Sequence, residues 1–158
     1  MRNIIWNSML DAEMNERYWS KLSKRYYIRE KWTKIFLASM ASGTVASWSF
    51  WSEYELLWKL LSASSAIVAI ALPILNWPKS IQNMNVLTEK WSLIKSDYEL
   101  LWLDVKKSLK DKDEVKIKKE LKILMTKENT LSQKEVNLPD DHKLLQKCMN
   151  EVKKSRGI

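Results

Sequence analysis

Two stretches of the chain carry no charge: residues 35–52, IFLASMASGTVASWSFWS, and residues 60–78, LLSASSAIVAIALPILNWP. They are 18 and 19 residues long, and at about 1.5 Å of rise per residue each approaches the roughly 30 Å of hydrocarbon that a spanning helix crosses. The pattern predicts two transmembrane helices joined by a short connector. A buried hairpin in a soluble core is the other reading, but few other apolar residues remain to wrap two helices that lack a charged face. Trp32, Trp48, Trp51, Tyr54, Trp58 and Trp77 gather at the ends of the two runs, where an amphipathic ring sits among headgroups.

Each run has a small-residue face. At about 100° per residue, Ser39, Ser42, Gly43 and Ala46 share one side of the first helix and Leu37, Met40, Trp48 and Trp51 the other. In the second, Ser62, Ser65, Ala66, Ala69, Pro73 and Asn76 form a stripe, with Leu60, Ile67, Ile70, Leu72 and Leu75 around the rest. The spacings from Ser39 to Gly43 to Ser47 and from Ser65 to Ala69 allow close approach of membrane helices. Such stripes pack the hairpin or, once several hairpins assemble, line a water path. Pro73 removes a backbone donor and is expected to bend the second helix.

Beyond the second run the period changes. Met84, Leu87, Trp91, Ile94, Tyr98, Leu101 and Val105 alternate spacings of three and four, a heptad seam expected to run straight out of the second span. It packs on another helix of the same chain or on a second copy. KDKDE at 110–114 reads as a polar turn, followed by a helix marked by Ile117, Leu121, Leu124 and Leu131. Pro139 with Asp140 or Asp141 signals another helix start, leading into Leu145, Cys148, Met149 and Val152. The expected class is all-α: a cytoplasmic N-terminal amphipathic and basic helix over 1–34, a two-span transmembrane hairpin over 35–78, and a cytoplasmic helical bundle over 79–158.

Charge orients this arrangement. Arg17, Lys21, Lys24, Arg25, Arg29, Lys31 and Lys34 precede the first run, and Lys79, Lys90 and Lys95 follow the second, whereas the connector holds Lys59 against Glu53 and Glu55. Basic flanks stay in the cytoplasm, so both termini are expected inside. The 158 residues carry a net charge of +8. The basic, aromatic RYYIREKW could stack on nucleic acid, but at a membrane boundary it suits lipid headgroups better, and no direct nucleic-acid binding is expected.

Candidate chemistry is sparse. Two glycines leave little for a phosphate-cradling loop. One Cys148 and one His142 make no zinc set and no internal disulfide. His142 beside Asp140 and Asp141 is an acid/base trio in appearance, but helix capping accounts for it. No charge lies within either run, against a proton-coupled transporter or a channel with acidic rings. The expectation is no enzyme, no metal and no cofactor.

The order of parts, a basic RYWSKLSKRYYIREKW, two small-rich runs, EKWSLIKSDYELLWLDVKK and a later NLPDDHKLLQKC, resembles the SLATT proteins over about residues 14–155. These are two-span effectors associated with bacterial nucleotide-signalling defence systems. The resemblance implies a homo-oligomeric, pore-forming effector of the bacterial inner membrane that acts in antiviral defence and abortive infection. It also implies an activator encoded nearby: a nucleotide-generating enzyme, a sensor or a reverse transcriptase. The alternative is a membrane-anchored helical scaffold that docks a soluble partner.

Overall fold

A computed structural model describes residues 1–42, 54–107, 111–135 and 138–157. These residues form α1 (Arg2–Met40), α2 (Glu55–Leu75), α3 (Trp77–Lys107), α4 (Asp111–Ser132) and α5 (His142–Arg156). The protein is all-helical among the described residues. It divides into two compact units, one of residues 1–23 with 82–158 and one of residues 24–81. The boundaries expected at 34/35 and 78/79 both fall inside the second unit.

The first unit is a helical bundle. Ile5, Met9, Ala12, Trp19 and Leu22 come from α1, Ile117, Leu121, Leu124 and Leu131 from α4, and Leu144, Cys148 and Val152 from α5, all buried together with the α3 seam. Polar contacts give the directions. Arg2 Nη2 donates to the Val105 carbonyl at 3.4 Å, Lys95 to Glu16 at 2.7 Å and Ser23 to Asn85 at 2.6 Å. As the position rises along α1 it falls along α3, so these helices are antiparallel. The pairs Tyr98–Glu128 and Trp91–Glu135 set α3 against α4 in the same sense. The pairs Arg156–Glu13 and Lys21–Glu151 do so for α1 and α5. Trp6 and Trp102 add a tilted ring contact at 5.3 Å between α1 and α3.

Local signals explain the helix ends, and some differ from expectation. The Asp141 side chain accepts from the Leu144 N–H at 3.0 Å and caps α5, relieving one unpaired donor of the first turn. Leu144, not Leu145, is the buried residue at that end. Of the turn expected at 110–114, Asp111 to Glu114 are helical and open α4, and Lys110 lies outside the described residues. Without Gly or Pro, a cluster of Lys, Asp and Glu has no intrinsic reason to leave the helix.

In the second unit, α2 is the one helix among the described residues long and apolar enough to cross a membrane. It does not continue directly into α3. Asn76 takes left-handed dihedrals, φ 43° and ψ 45°, while its N–H still reaches the Leu72 carbonyl at 3.2 Å. Asn tolerates that conformation better than most residues, and Pro78, two positions on, suits the first turn of α3. The first apolar run is helical to Met40, and Ala41 and Ser42 close the helix with bonds to Leu37 and Ser39. Gly43, Ala46, Ser47, Trp48 and Trp51, named in that run from the sequence, lie outside the described residues.

Trp91 is 1% exposed, so Trp91→Ala opens a large void in the bundle. The expected loss is about 3 to 5 kcal/mol, measured by denaturant unfolding of the full chain in detergent. An unchanged midpoint would place the seam at the surface.

Candidate functional site: the bundle seam and the small-residue stripe

All seven seam positions, Met84, Leu87, Trp91, Ile94, Tyr98, Leu101 and Val105, are buried within one chain. Their partner is the corresponding seam of α4, which contains more than its apolar members. Ile117, Leu121, Leu124, Glu128, Leu131 and Glu135 follow spacings of four and three throughout, so two carboxylates, seven residues apart, occupy core-facing positions. Glu128 projects from the body of α4, and Glu135 lies in the turn that closes it.

These carboxylates meet aromatic donors that are also seven residues apart. The Tyr98 hydroxyl donates to Glu128 Oε2 at 2.9 Å, and the Trp91 indole N–H to Glu135 Oε1 at 2.6 Å. Trp19 of α1 donates its indole N–H to the same Glu135 oxygen at 2.7 Å. One carboxylate thereby ties α1, α3 and the end of α4 together. Burial pushes the Glu135 carboxyl above its usual range, against the opposing pull of the two indole bonds. Burial does the same to Glu128; the Tyr98 bond opposes it, and the like charge of Asp11 adds to it. The Tyr98 hydroxyl is also driven up, by burial first and by Glu128 second.

A second cluster has the opposite balance. Glu13, 5% exposed, accepts from Arg156 Nε at 2.8 Å and Nη2 at 2.6 Å and from Arg17 at 2.5 Å. Burial works to raise its pKa, but the guanidinium of Arg156, with Arg17 behind it, outweighs burial and holds the carboxyl below its ordinary value. Arg156 also bonds Glu99 of α3 at 3.0 Å. Its own pKa is raised, by Glu13 first and Glu99 second.

The apparent acid/base trio divides into separate roles. Tyr18 donates to Asp140 at 2.9 Å and accepts from the Asp141 N–H at 2.9 Å. Burial is the main reason its hydroxyl is pushed up to about 12. Asp141 caps α5, and His142, 3.3 Å from Asp140, projects into solvent. Among the described residues no group of three or more His, Cys, Asp and Glu is placed to hold a metal ion.

In the second unit the α2 stripe is graded. Ser62 and Ser65 are half-buried, while Ala66, Ala69, Pro73 and Asn76 are exposed. Ser39 and Ser65 donate their hydroxyls to backbone carbonyls of their own helices, at 2.9 and 2.8 Å, which satisfies them without a neighbour. The bulky residues are bare: Leu60, Ile67, Ile70 and Ile74 are each more than 60% exposed. Of the aromatics at the run ends, Trp32 and Tyr54 are exposed and Trp58 and Trp77 half-buried. The cation of Arg29 lies 5.6 Å above the Tyr26 ring.

The chain matches no family model, no curated protein and no solved structure.

The seam carboxylates give the bundle a definite pH dependence. Between the ordinary Glu value of 4.5 and the raised folded values, the folded state holds protons that the unfolded state has released, so stability falls as pH rises through that window. Below 4.5 the lowered carboxyl of Glu13 acts in the other direction, and stability is lost on further acidification. Glu128→Gln with Glu135→Gln keeps an acceptor but removes the ionisation. The thermal midpoint of this variant, followed by tryptophan fluorescence, is expected to be flatter than wild type above pH 4.5. Parallel curves would show that these carboxylates ionise without cost.

Proposed function

We propose that the protein is a two-span membrane protein whose hairpins assemble and permeabilise a bacterial inner membrane, as the effector of an antiviral or other conflict system. The observation that carries the membrane part is α2: its 21 residues have a mean hydropathy of 1.7 over the most apolar window, with none of that window buried. Burying a bulky aliphatic side chain is worth about 1.5 to 3 kcal/mol, and a helix that bares several of them has lipid as its natural solvent. The second span, formed by residues 35–52, and the placement of both termini in the cytoplasm rest on the apolar run and the basic flanks.

The effector role draws on the resemblance to SLATT proteins and on the stripe. Ala66, Ala69 and Pro73 offer an exposed small surface on α2, suited to close approach between hairpins of different copies. The cytoplasmic bundle receives the signal of a separately encoded activator, a nucleotide-generating enzyme, a sensor or a reverse transcriptase. The role involves no catalytic step. A membrane-anchored scaffold would need the same anchor but no contact between stripes.

Two experiments bear on this reading. For topology, a Cys at Ser52 should label only from outside and one at the exposed Lys143 only from inside, with native Cys148 protected by its burial. Labelling of both from one side would end the two-span reading. For permeation, Ala69→Leu should insert normally, since Leu favours hydrocarbon, yet abolish depolarisation by obstructing close approach. The measurement is membrane potential after induction with the trigger supplied, at equal expression. If wild type never depolarises the cell, or Ala69→Leu depolarises it equally, the scaffold replaces the effector.

A further inference from the structure

A groove runs along the outer face of α3 and α4, wholly within the first unit. Its central cavity, about 580 Å³, is lined by Leu93, Ile94, Ile123, Thr126, Thr130 and Leu131, with lysines at its rim. Thr126 and Thr130 donate their hydroxyls to carbonyls of their own helix, each at 2.9 Å, leaving their methyl groups as the contact surface. Adjoining cavities of about 330 and 300 Å³ extend the groove from Asn83 to Asp104 along α3. At 1.5 Å per residue that length is about 32 Å. The seam residues Ile94 and Leu131 form its floor, and the exposed residues beside them form its outer surface. Val86, Leu93 and Leu100 recur every seven residues beside the seam, and Leu93 and Leu100 are 67% and 63% exposed.

The charges along the groove have a symmetry of their own. At its middle Lys127 pairs with Asp97 at 3.2 Å. Seven residues before Asp97 lies Lys90, and seven after it Asp104; seven residues after Lys127 lies Lys134, and seven before it Glu120. Because α3 and α4 are antiparallel, Lys90 and Lys134 mark one end of the groove and Asp104 and Glu120 the other. Lys90, Lys134 and Asp104 make no ion pair among the described residues, and Glu120 has only a 3.8 Å contact with Lys116 of its own helix. Three lysines thus balance three carboxylates on this face of a chain whose net charge is +8.

The geometry points to a second copy of this chain as the occupant, docked by a two-fold axis that crosses the groove at the Asp97–Lys127 pair. That rotation lays α3 antiparallel on α3 of the second copy and α4 on α4. It sets Lys90 against Asp104 and Lys134 against Glu120, each contact occurring twice, as an isologous interface requires; at the axis the two Asp97–Lys127 pairs meet, each already neutralised within its own chain. Leu93 of one copy then faces Leu100 of the other, and the bared apolar column is covered. An acidic partner would satisfy only the basic end, and a basic partner only the acidic end; a copy rotated about this axis satisfies both. The inference goes beyond the permeation reading and is independent of it, because it concerns the bundle surface and its test reads proximity rather than ion flow.

The test uses the full chain in membranes, carrying Leu93→Cys and Leu100→Cys, with a short bis-maleimide as cross-linker. Native Cys148 is fully buried and contributes no background. A cross-linked dimer is expected. Adding Lys90→Glu, or alternatively Asp104→Lys, places like charges opposite one another twice and should reduce the dimer about tenfold or more. Both residues are exposed, so the fold tolerates the change. Co-expressing the two reversed chains restores opposite charges at both contacts and should recover the dimer between them. No dimer in the parent, a dimer indifferent to reversal, or failure of the mixed pair to recover would each overturn the proposal.

Discussion

The bundle depends on two carboxylates in places where an apolar seam would ordinarily carry leucine. Glu128 and Glu135 continue the heptad spacing of α4 into the core and meet Tyr98 and Trp91, themselves one heptad apart on α3. A purely apolar seam permits sliding by one heptad, since Leu fits against Leu at every step. Here a slip of seven residues would carry one buried carboxylate away from its donor, and an unsatisfied buried charge costs more than any repacking recovers. The two rungs therefore fix register as well as direction. The Trp19 indole, bonded to the same oxygen of Glu135 as Trp91, extends this constraint to α1.

Much of the architecture could be read from spacing alone. The seven α3 seam positions and the four apolar positions of α4 are recognisable because burial imposes a period that survives in any sequence. The Asp141 cap is similarly local. What could not be read depends on what lies across the chain. Glu128 and Glu135 look like solvated acids among many, unless positions are counted without regard to residue type; then the four-three spacing from Ile117 passes through both. The burial of Ile5, Met9 and Ala12 is concealed by interspersed Asn, Asp and Glu, of which Glu13 finds Arg156 on α5 and Glu16 finds Lys95 on α3. Asn76 was assigned to a stripe by helical angle, yet its tolerance of left-handed dihedrals ends α2 there. The small stripe itself is only partly described, since Gly43 and Ala46 lie outside the described residues.

The two units present different surfaces. In the first, large side chains face inward and charges outward, and polar groups that are buried find partners: Glu13 has two guanidinium groups, Ser23 has Asn85, and Glu135 has two indoles. In the second, α2 has no buried residue and the hydroxyls of Ser64 and Ser65 turn back on their own backbone. Water would penalise such a surface, whereas hydrocarbon accepts the aliphatic side chains and makes the internal hydroxyl bonds worthwhile. The average composition of the chain, mildly polar, conceals this division because it adds a charged bundle to a charge-free run.

The electrostatics of the bundle show how positive charge is kept from opposing the packing of its helices. Arg156 and Arg17 are drawn onto the buried Glu13, with Glu99 taking the remaining guanidinium contact. Lys95 is held by Glu16 and Lys21 by Glu151. Basic side chains are thus neutralised pairwise where these helices meet, and further exposed cations lie on α1, at Lys24 and Arg29, and on α5, at Lys143, Lys147, Lys153 and Lys154. Those of α1 precede the apolar run at 35–52. Charge is thus paired where the chain packs on itself and balanced along the α3–α4 groove. A uniform coating of the same net charge would leave the buried Glu13 without the guanidinium groups that offset its burial.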